Sequence, residues 1–452
     1  MTTSTLTTPQ QSLRESAIHH LQALLRLNTM TPPGNEKIAA GYIAGVLRDA
    51  GIENVQVLES APNRANVVAR LESAHPTGRP IMLMGHTDVV TVEPEKWARD
   101  PFGGELIDGE IWGRGALDMK SQVASELAVF LALKEQGIAL NRDVILVAFA
   151  DEETGGALGA DWMWKNHRDL IDAEFAINEG GGSPMTINDQ LFYTCQVAEK
   201  GSTHLRMTVT GTPGHASVPL DVTAMSKLGE AMNRLHAWQG ETTFTEPVRQ
   251  MLTTIADTLG GDVAARINDI LAAESPAWEE LVKLPLSAEE LLSLRATTRN
   301  TAVPTMIRGG QRINVIPGEI QVEIDGRILP GEAPEAFRAS VQEAVGAIAE
   351  ITITSPDTGT AADPASPFFD AINASIGELM PDSVLIPSLS SGGTDAPLIP
   401  GVKVYGFYPM PPSERLGVYD TLVHGHNERI HVDDLAFATR FIYDVVVRFA
   451  GA

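Results

Sequence analysis

The stretch DVILVAFADEETGG, residues 143–156, decides how the chain is read. Val144 to Phe149 form an unbroken apolar run, extended by Ala150. A short apolar run bounded by charge and glycine is the pattern of a strand buried on both faces of a parallel sheet. It leads without a break into Asp151, Glu152 and Glu153. Adjacent carboxylates repel one another, so something positive has to stand beside them.

Working outward, strand-like runs flank this segment: NVVARLE at 66–72, PIMLMG at 80–85 and EFAIN at 174–178. Between PIMLMG and DVILVAFA lies SQVASELAVFLALKEQG, residues 121–137, with the pattern of an amphipathic helix. Further upstream, residues 11–27 place Leu13, Ile18, Leu21, Leu24 and Leu25 at helical spacing, and KIAAGYIAGVLRDAG reads as a second helix closed by Gly51. Apolar strands alternating with helices predict an α/β fold, a mostly parallel sheet with flanking helices. The texture changes at Gly201. A strand (STHLRMTVTG), a helix over 221–238, a helical stretch over about 241–297, two strands (TMIRGGQRINVIP and EIQVEIDGRIL), a helix (PEAFRASVQEAVGAIAE) and a last strand (ITITS) follow one another. That order suits a small α+β domain inserted into the first. The expected organisation is therefore 1–200, an inserted domain over 201–357, and 358–452 completing the first domain.

Bulk properties narrow the function classes. A chain of 452 residues exceeds one ordinary core, so at least two domains are expected. Lys and Arg number 33 against 58 Asp and Glu, a net charge of −25. Such a surface repels nucleic acid and anionic membranes, and part of the acid excess suits bound cations. No apolar run approaches the length of a bilayer span. The start, MTTSTLTTPQQSLRES, has neither the basic nor the apolar region of a signal peptide. A single cysteine, Cys195, excludes an intramolecular disulfide and reads as a core residue. A reducing, cytoplasmic setting is the expectation.

Several predicted strands end in polar clusters: GHTDVV with His86 and Asp88, the triple acid, and Glu179 before Gly180. In open parallel sheets the ligand crevice lies beyond the carboxyl ends of the strands. WGRGALDMK adds Asp118 just before the 121–137 helix, and HGHNERIH adds His424, His426 and His431. Taken singly, each has an ordinary explanation, such as a helix-start carboxylate or a turn-opening glutamate. Together, imidazoles and carboxylates converging from several strand ends match the ligand preferences of zinc and similar divalent ions. A five-ligand set with a carboxylate in the middle can hold two metals about 4 Å apart. In His86-Thr-Asp88 the aspartate is placed to orient the histidine. There is no G-x-S-x-G elbow, H-E-x-x-H or P-loop.

GHTDVV, WGRGALDMK, ADEETGG, NEGGG, GTPGHASVP, INVIPGE, SGGTDAP and HGHNERI occur in order along nearly the whole chain. In this the sequence resembles the co-catalytic di-zinc amidohydrolases, which include aminoacylase, acetylornithine deacetylase, succinyl-diaminopimelate desuccinylase and glutamate carboxypeptidase. The resemblance implies two Zn²⁺ ions per subunit, with Co²⁺ or Mn²⁺ as possible substitutes. It implies His86, Asp118, Glu153, Glu179 and His424 as ligands, with Asp118 bridging. His424 is preferred to His426 because family members place this ligand four residues before the glutamate of the NE pair. Glu152 matches the general base and Asp88 the carboxylate that orients His86.

The resemblance further implies that the inserted domain is a lid that also dimerises. His215 matches a lid histidine that stabilises the oxyanion, in dimeric relatives across the subunit boundary. Asn314 and Arg327 match substrate contacts, although Arg327 could equally pair with Asp325 or Glu323. Gly393 and Thr394 would line the pocket through backbone groups. The implied activity is hydrolysis of an amide or peptide bond in a small substrate with a free carboxylate, a dipeptide, a C-terminal residue or an N-acyl amino acid. A di-zinc aminopeptidase and a non-catalytic metal-dependent binding protein are the rival readings. No motif in 241–297 matches the family.

Overall fold

The computed structural model describes residues 8–273 and 278–452. The first seven residues of the polar N-terminal stretch, and part of the expected helical insertion, lie outside these. The chain forms two compact units. One comprises the residues up to Gln196 together with Ala362–Ile386 and Thr394–Ala452; the other comprises Val197–Ala361 and Pro387–Gly393.

The first unit is built on a sheet whose core is parallel. Strands Val144–Phe149, Ile81–His86, Phe175–Asn178 and Lys403–Gly406 lie side by side in that order and run the same way. Every residue of Val144–Phe149, Ile81–His86 and Phe175–Asn178 is buried, as continuous apolar runs covered on both faces require. Antiparallel strands extend both flanks: Arg64–Leu71 pairs with Val144–Phe149, and Gln190–Glu199 meets Lys403–Gly406. On one face Met82, Met84, Ile145, Val147 and Phe149 pack with Ala160, Met163 and Ile171 of the segment that follows the triple acid. Helix Lys120–Glu135 packs on the two central strands and against helices Thr8–Leu25 and Val432–Ala450. No helix among the described residues is long and apolar enough to cross a membrane.

Register fixes where the polar strand ends emerge. His86 pairs with Phe149, and Asn178 pairs with Gly406. Residues 87–88, 150–153 and 179 therefore leave the sheet at the same edge. The acidic turn is folded tightly against the strand it follows: a Cβ on Gly159 would lie 1.8 Å from the Ala150 carbonyl oxygen, so only glycine fits.

The second unit is an antiparallel sheet with helices on one face. Glu319–Ile328 lies between His204–Thr210 and Thr301–Gly309, and Glu350–Ser355 pairs with the outer side of His204–Thr210. Glu319–Ile328 has its alternate residues buried, the period of a half-covered strand. Leu205, Met207, Val322 and Ile324 pack under Ala231 and Leu235 of helix Ala224–Ala237 and under Phe337 and Val341 of helix Pro334–Val345. The stretch between the first helix and strand Thr301–Gly309 contains helices Glu246–Leu259, Gly261–Ala272, Trp278–Leu281 and Ala288–Thr297.

Candidate metal centre

The strand ends and two loops of the first unit bring His86, Asp118, Glu152, Glu153, Glu179 and His424 into one cluster. His86 is 1% exposed, and its Nε2 lies 3.1 Å from Asp118 Oδ1, 3.8 Å from Glu179 Oε1 and 3.9 Å from Glu152 Oε2. His424 Nε2 lies 2.9 Å from Asp118 Oδ2 and 3.3 Å from Glu153 Oε2. Asp118 thus stands between the two imidazoles, one oxygen toward each. One ligand atom each from His86, Asp118 and Glu153 lies within 4.8 Å of the others, as does one each from His86, Glu152 and Glu179. Of the other histidines in the HGHNERIH segment, His431 Nδ1 accepts the Asp433 N–H at the start of the last helix.

Asp88 is fully buried and does more than orient its neighbour. His86 Nδ1 lies 3.1 Å from the Asp88 carbonyl oxygen and 3.5 Å from its Oδ1. The two Asp88 carboxylate oxygens accept the backbone N–H groups of Glu152 and Glu153, at 3.2 and 3.1 Å. A single carboxylate therefore fixes the imidazole and the peptide backbone that aims both glutamates.

Asp151 faces away from this cluster. It adopts φ of 72°, and its Oδ1 accepts from Arg64 Nη2 at 2.7 Å while its Oδ2 accepts the Leu158 N–H. Arg64 also makes a two-bonded pair with the buried Glu36, 2.7 Å in each arm. The triple acid is thus divided: Asp151 pairs with an arginine, while Glu152 and Glu153 face the imidazoles.

The electrostatics are those of a pocket short of positive charge. Burial alone would lower the His86 pKa, but hydrogen bonds to Asp118 and Asp88 and the charges of Glu179 and Glu152 hold it well above the usual range. Asp118 and Glu153 raise His424 to about 10. Burial would raise Asp118, yet the two imidazoles hold it well below the ordinary carboxylate range. Burial lifts Glu152 to about 7, with the charges of Glu153, Asp118 and Asp88 adding to the rise and His86 opposing it. Burial likewise holds Glu179 well above its normal value, against His86. Glu153 Oε1 is buried with no hydrogen-bond partner among the described residues. Carboxylate oxygens and imidazole nitrogens at such separations, with an orphaned oxygen among them, fit divalent cations, which satisfy these groups in place of protons.

Two supports were not singled out from the sequence. Glu428 is fully buried and accepts the N–H groups of Leu117 and Asp118, and Arg114 donates to Glu428 and to the carbonyl oxygens of His424 and Gly425. Buried Lys120 donates to the Leu24 and Leu27 carbonyls, anchoring the helix that follows Asp118. Arg114 and Glu428 lie inside the WGRG and HGHNERI motifs, whereas nothing local marks Arg64, 87 residues before Asp151.

The candidate residues of the second unit are of a different kind. His215 is exposed, and its Nδ1 accepts the Ser217 N–H at 3.2 Å with Ser217 Oγ at 2.7 Å. Asn314 is exposed, and its carbonyl accepts the Ala216 N–H. Arg327 is engaged: Nε and Nη2 donate to the two oxygens of Asp325 at 2.8 and 3.2 Å, and Nη1 donates to Ser202 Oγ at 2.7 Å. Gly393 is exposed at the end of its segment of this unit. Thr394 begins the last segment of the first unit, where its Oγ1 accepts the Ala396 N–H.

Known proteins align with this architecture. The profile described as peptidase family M20/M25/M40 matches residues 82–448. Aminoacylase-1 from Sus scrofa is 28% identical over 417 residues, covering 90% of this chain and 88% of that protein. The M20 family metallo-carboxypeptidase Sso-CP2 from Sulfolobus solfataricus superposes with a TM-score of 0.71 at 18% identity, over 95% of this chain and 98% of that one. Human carnosine dipeptidase 1 superposes with a TM-score of 0.67 at 14% identity, over 97% and 98% of the two chains. At these identities the structural likenesses show the fold.

Proposed function

The chain belongs to peptidase family M20/M25/M40 and is a hydrolytic enzyme, and from that premise we propose that it cleaves an amide or peptide bond in a small substrate with a free carboxylate. The substrate class is a dipeptide, a C-terminal residue or an N-acyl amino acid. The observation that carries the reading is one cluster of two imidazoles and four carboxylates, of which the family pattern takes five groups as ligands and leaves Glu152. His86, Asp118, Glu153, Glu179 and His424 would hold two divalent ions, Zn²⁺ by the nitrogen and oxygen donor set, with Asp118 between them. Bound there, the ions supply polarisation of the scissile carbonyl and acidification of the attacking water.

The protein's own residues do the rest. Glu152, poised near neutrality by burial, accepts the proton of the attacking water and delivers it to the leaving amine. Asp88 keeps that carboxylate aimed by holding its backbone N–H. His215 would donate to the oxygen on which negative charge develops. In this reading the second unit is a lid that also forms a homodimer and offers His215 to the partner's site. Asn314 and Arg327 would meet the substrate carboxylate, and Gly393 and Thr394 would line the pocket through backbone groups. Free, buried Cys195 accords with a reducing, cytoplasmic setting.

The test is a hydrolysis screen of protein reconstituted with Zn²⁺, Co²⁺ or Mn²⁺. N-acyl amino acids and dipeptides are expected to be cleaved, and amino-acid amides lacking a carboxylate are expected to be spared. Cleavage of amides alone would turn the assignment toward an aminopeptidase; binding of metal with no hydrolysis of any class would remove the catalytic reading.

A further inference from the structure

The candidate ligands are mounted in two ways. His86 ends a strand of the parallel core, and Glu179 directly follows another. Their positions come with the sheet. Asp118 and His424 sit on turns outside regular structure. His424 has φ of 59° and Asn427 φ of 63°, a left-handed backbone that a residue other than glycine holds only where its surroundings impose it.

One buried pair holds both turns. Glu428 is fully buried and Arg114 is 2% exposed. Each oxygen of Glu428 accepts two donors: Oε1 takes Leu117 N–H at 2.7 Å and Asp118 N–H at 3.1 Å, and Oε2 takes Gly115 N–H at 3.0 Å and Arg114 Nη1 at 2.6 Å. Arg114 Nη2 then reaches the carbonyls of Gly425 at 2.7 Å and His424 at 3.2 Å. Glu428 grips the turn that carries Asp118, and Arg114 grips the turn that carries His424. The circuit closes where the two side chains meet, Asp118 Oδ2 to His424 Nε2. Its outer side is braced as well: the Arg114 guanidinium lies 5.3 Å from the centre of the Trp97 ring, and Asn427 Oδ1 accepts the Ala98 N–H.

We propose that the Arg114–Glu428 pair sets the occupancy of the metal position formed by His424 and Glu153 with Asp118 more strongly than that of the other position, because it holds two ligands of the first and only the shared Asp118 of the second. The position formed by His86 and Glu179 is reached by the pair only through Asp118. The inference rests on the two-metal reading of the site. Arg114 and Glu428 are positioning residues: neither side chain reaches the cluster, and each acts through the backbone of a ligand. The chemistry of the pair makes it sensitive. In Glu428→Gln, one orientation of the amide sets its NH₂ against the Leu117 and Asp118 N–H groups and the other sets it against the Gly115 N–H and Arg114, so one grip of the pair is lost either way. In Arg114→Lys the charge next to Glu428 remains, but a single ammonium cannot span the carboxylate and both carbonyls.

The experiment titrates Zn²⁺ into metal-stripped full-length protein by calorimetry with a competing chelator. Thermal unfolding of the metal-free forms controls for folding. The wild type is expected to take two ions. Arg114→Lys is expected to bind one ion nearly as the wild type does and the other about 10–100-fold more weakly, the usual effect of losing an outer partner of a ligand, while Glu428→Gln, which also disturbs the shared Asp118, is expected to weaken both ions and the same one more. Glu428→Asp, which keeps the charge, is expected to recover part of the difference. Should Glu428→Gln fail to fold, Arg114→Lys decides alone. Equal weakening of both ions, or no weakening of either, overturns the inference while leaving the two-metal reading intact. A wild type that takes no ion overturns that reading, and this inference with it.

Discussion

The cluster of the first unit and the candidate residues of the second differ in how far their geometry is already determined. His86, Asp88, Glu152 and Glu153 are locked by strand register and by hydrogen bonds to buried partners. His215 and Asn314 are exposed, and Arg327 is committed to Asp325 and Ser202. The difference accords with the roles proposed for each. Chemistry on a carbonyl needs groups fixed to a fraction of an ångström before substrate arrives. Contacts that recognise a substrate can be completed on binding, at the cost of ordering side chains then. The first unit carries a cluster whose geometry is set before any ligand arrives, and the second carries residues whose partners are largely solvent or one another.

The contrast can be broken at its strongest point first. Glu152→Ala is expected to lower kcat by about 10²–10⁴-fold, the range of general acid–base catalysis, with both metals retained by elemental analysis. Glu153→Ala, one residue on, is expected to lose metal instead. Turnover preserved in Glu152→Ala would remove it as the base. Next in size is Arg64→Met, which strands the buried carboxylates of Glu36 and Asp151. Urea unfolding should show a loss of about 3–5 kcal/mol, the usual result of removing one partner from a buried ion pair. Unchanged stability would mean that the acidic turn is held by its backbone bonds alone.

The second unit should respond more mildly. His215→Ala is expected to lower kcat by roughly 10²–10³-fold, as for loss of one oxyanion donor, with metal content untouched. Mixing it with Glu152→Ala asks whether catalysis crosses subunits, and heterodimers that recover no activity would exclude this. The smallest effect is expected of Arg327→Gln, a rise in KM of about tenfold or less for substrates bearing a carboxylate. Identical KM values for variant and wild type would assign Arg327 to its pair with Asp325 alone.

The legible part of the fold was the part written in local pattern. VILVAF is apolar at every position because both faces of its strand are covered, and EIQVEIDGRI alternates because one face is. The cluster was legible for a related reason: strand ends in a parallel sheet share an edge, so polar residues that end separate apolar runs meet there. Asp151 shows the limit. Two carboxylates follow it directly in the sequence, and the arginine that balances it is 87 residues away in the chain. Ion pairs formed through the fold leave no periodic trace. Arg327 and Asp325 are the opposite case, since residues two apart on a strand share a face and their pairing was foreseeable.

The sequence by itself determined which residue types were available: an unbroken run of buried strands, imidazoles and carboxylates at their ends, and ordered motifs enough to indicate an amide hydrolase. Tertiary structure alone decided how the three adjacent acids divide, with Asp151 turned to Arg64 and Glu152 and Glu153 aimed by the buried carboxylate of Asp88. It also decided that the turns bearing Asp118 and His424 are joined through Arg114 and Glu428, residues 314 apart in the chain. The physical reason is the range of the forces involved. Periodicity and turn chemistry act between near neighbours and can be read along the chain. Buried charge is balanced by whatever partner the fold brings within a few ångströms, and chain separation says nothing about that distance.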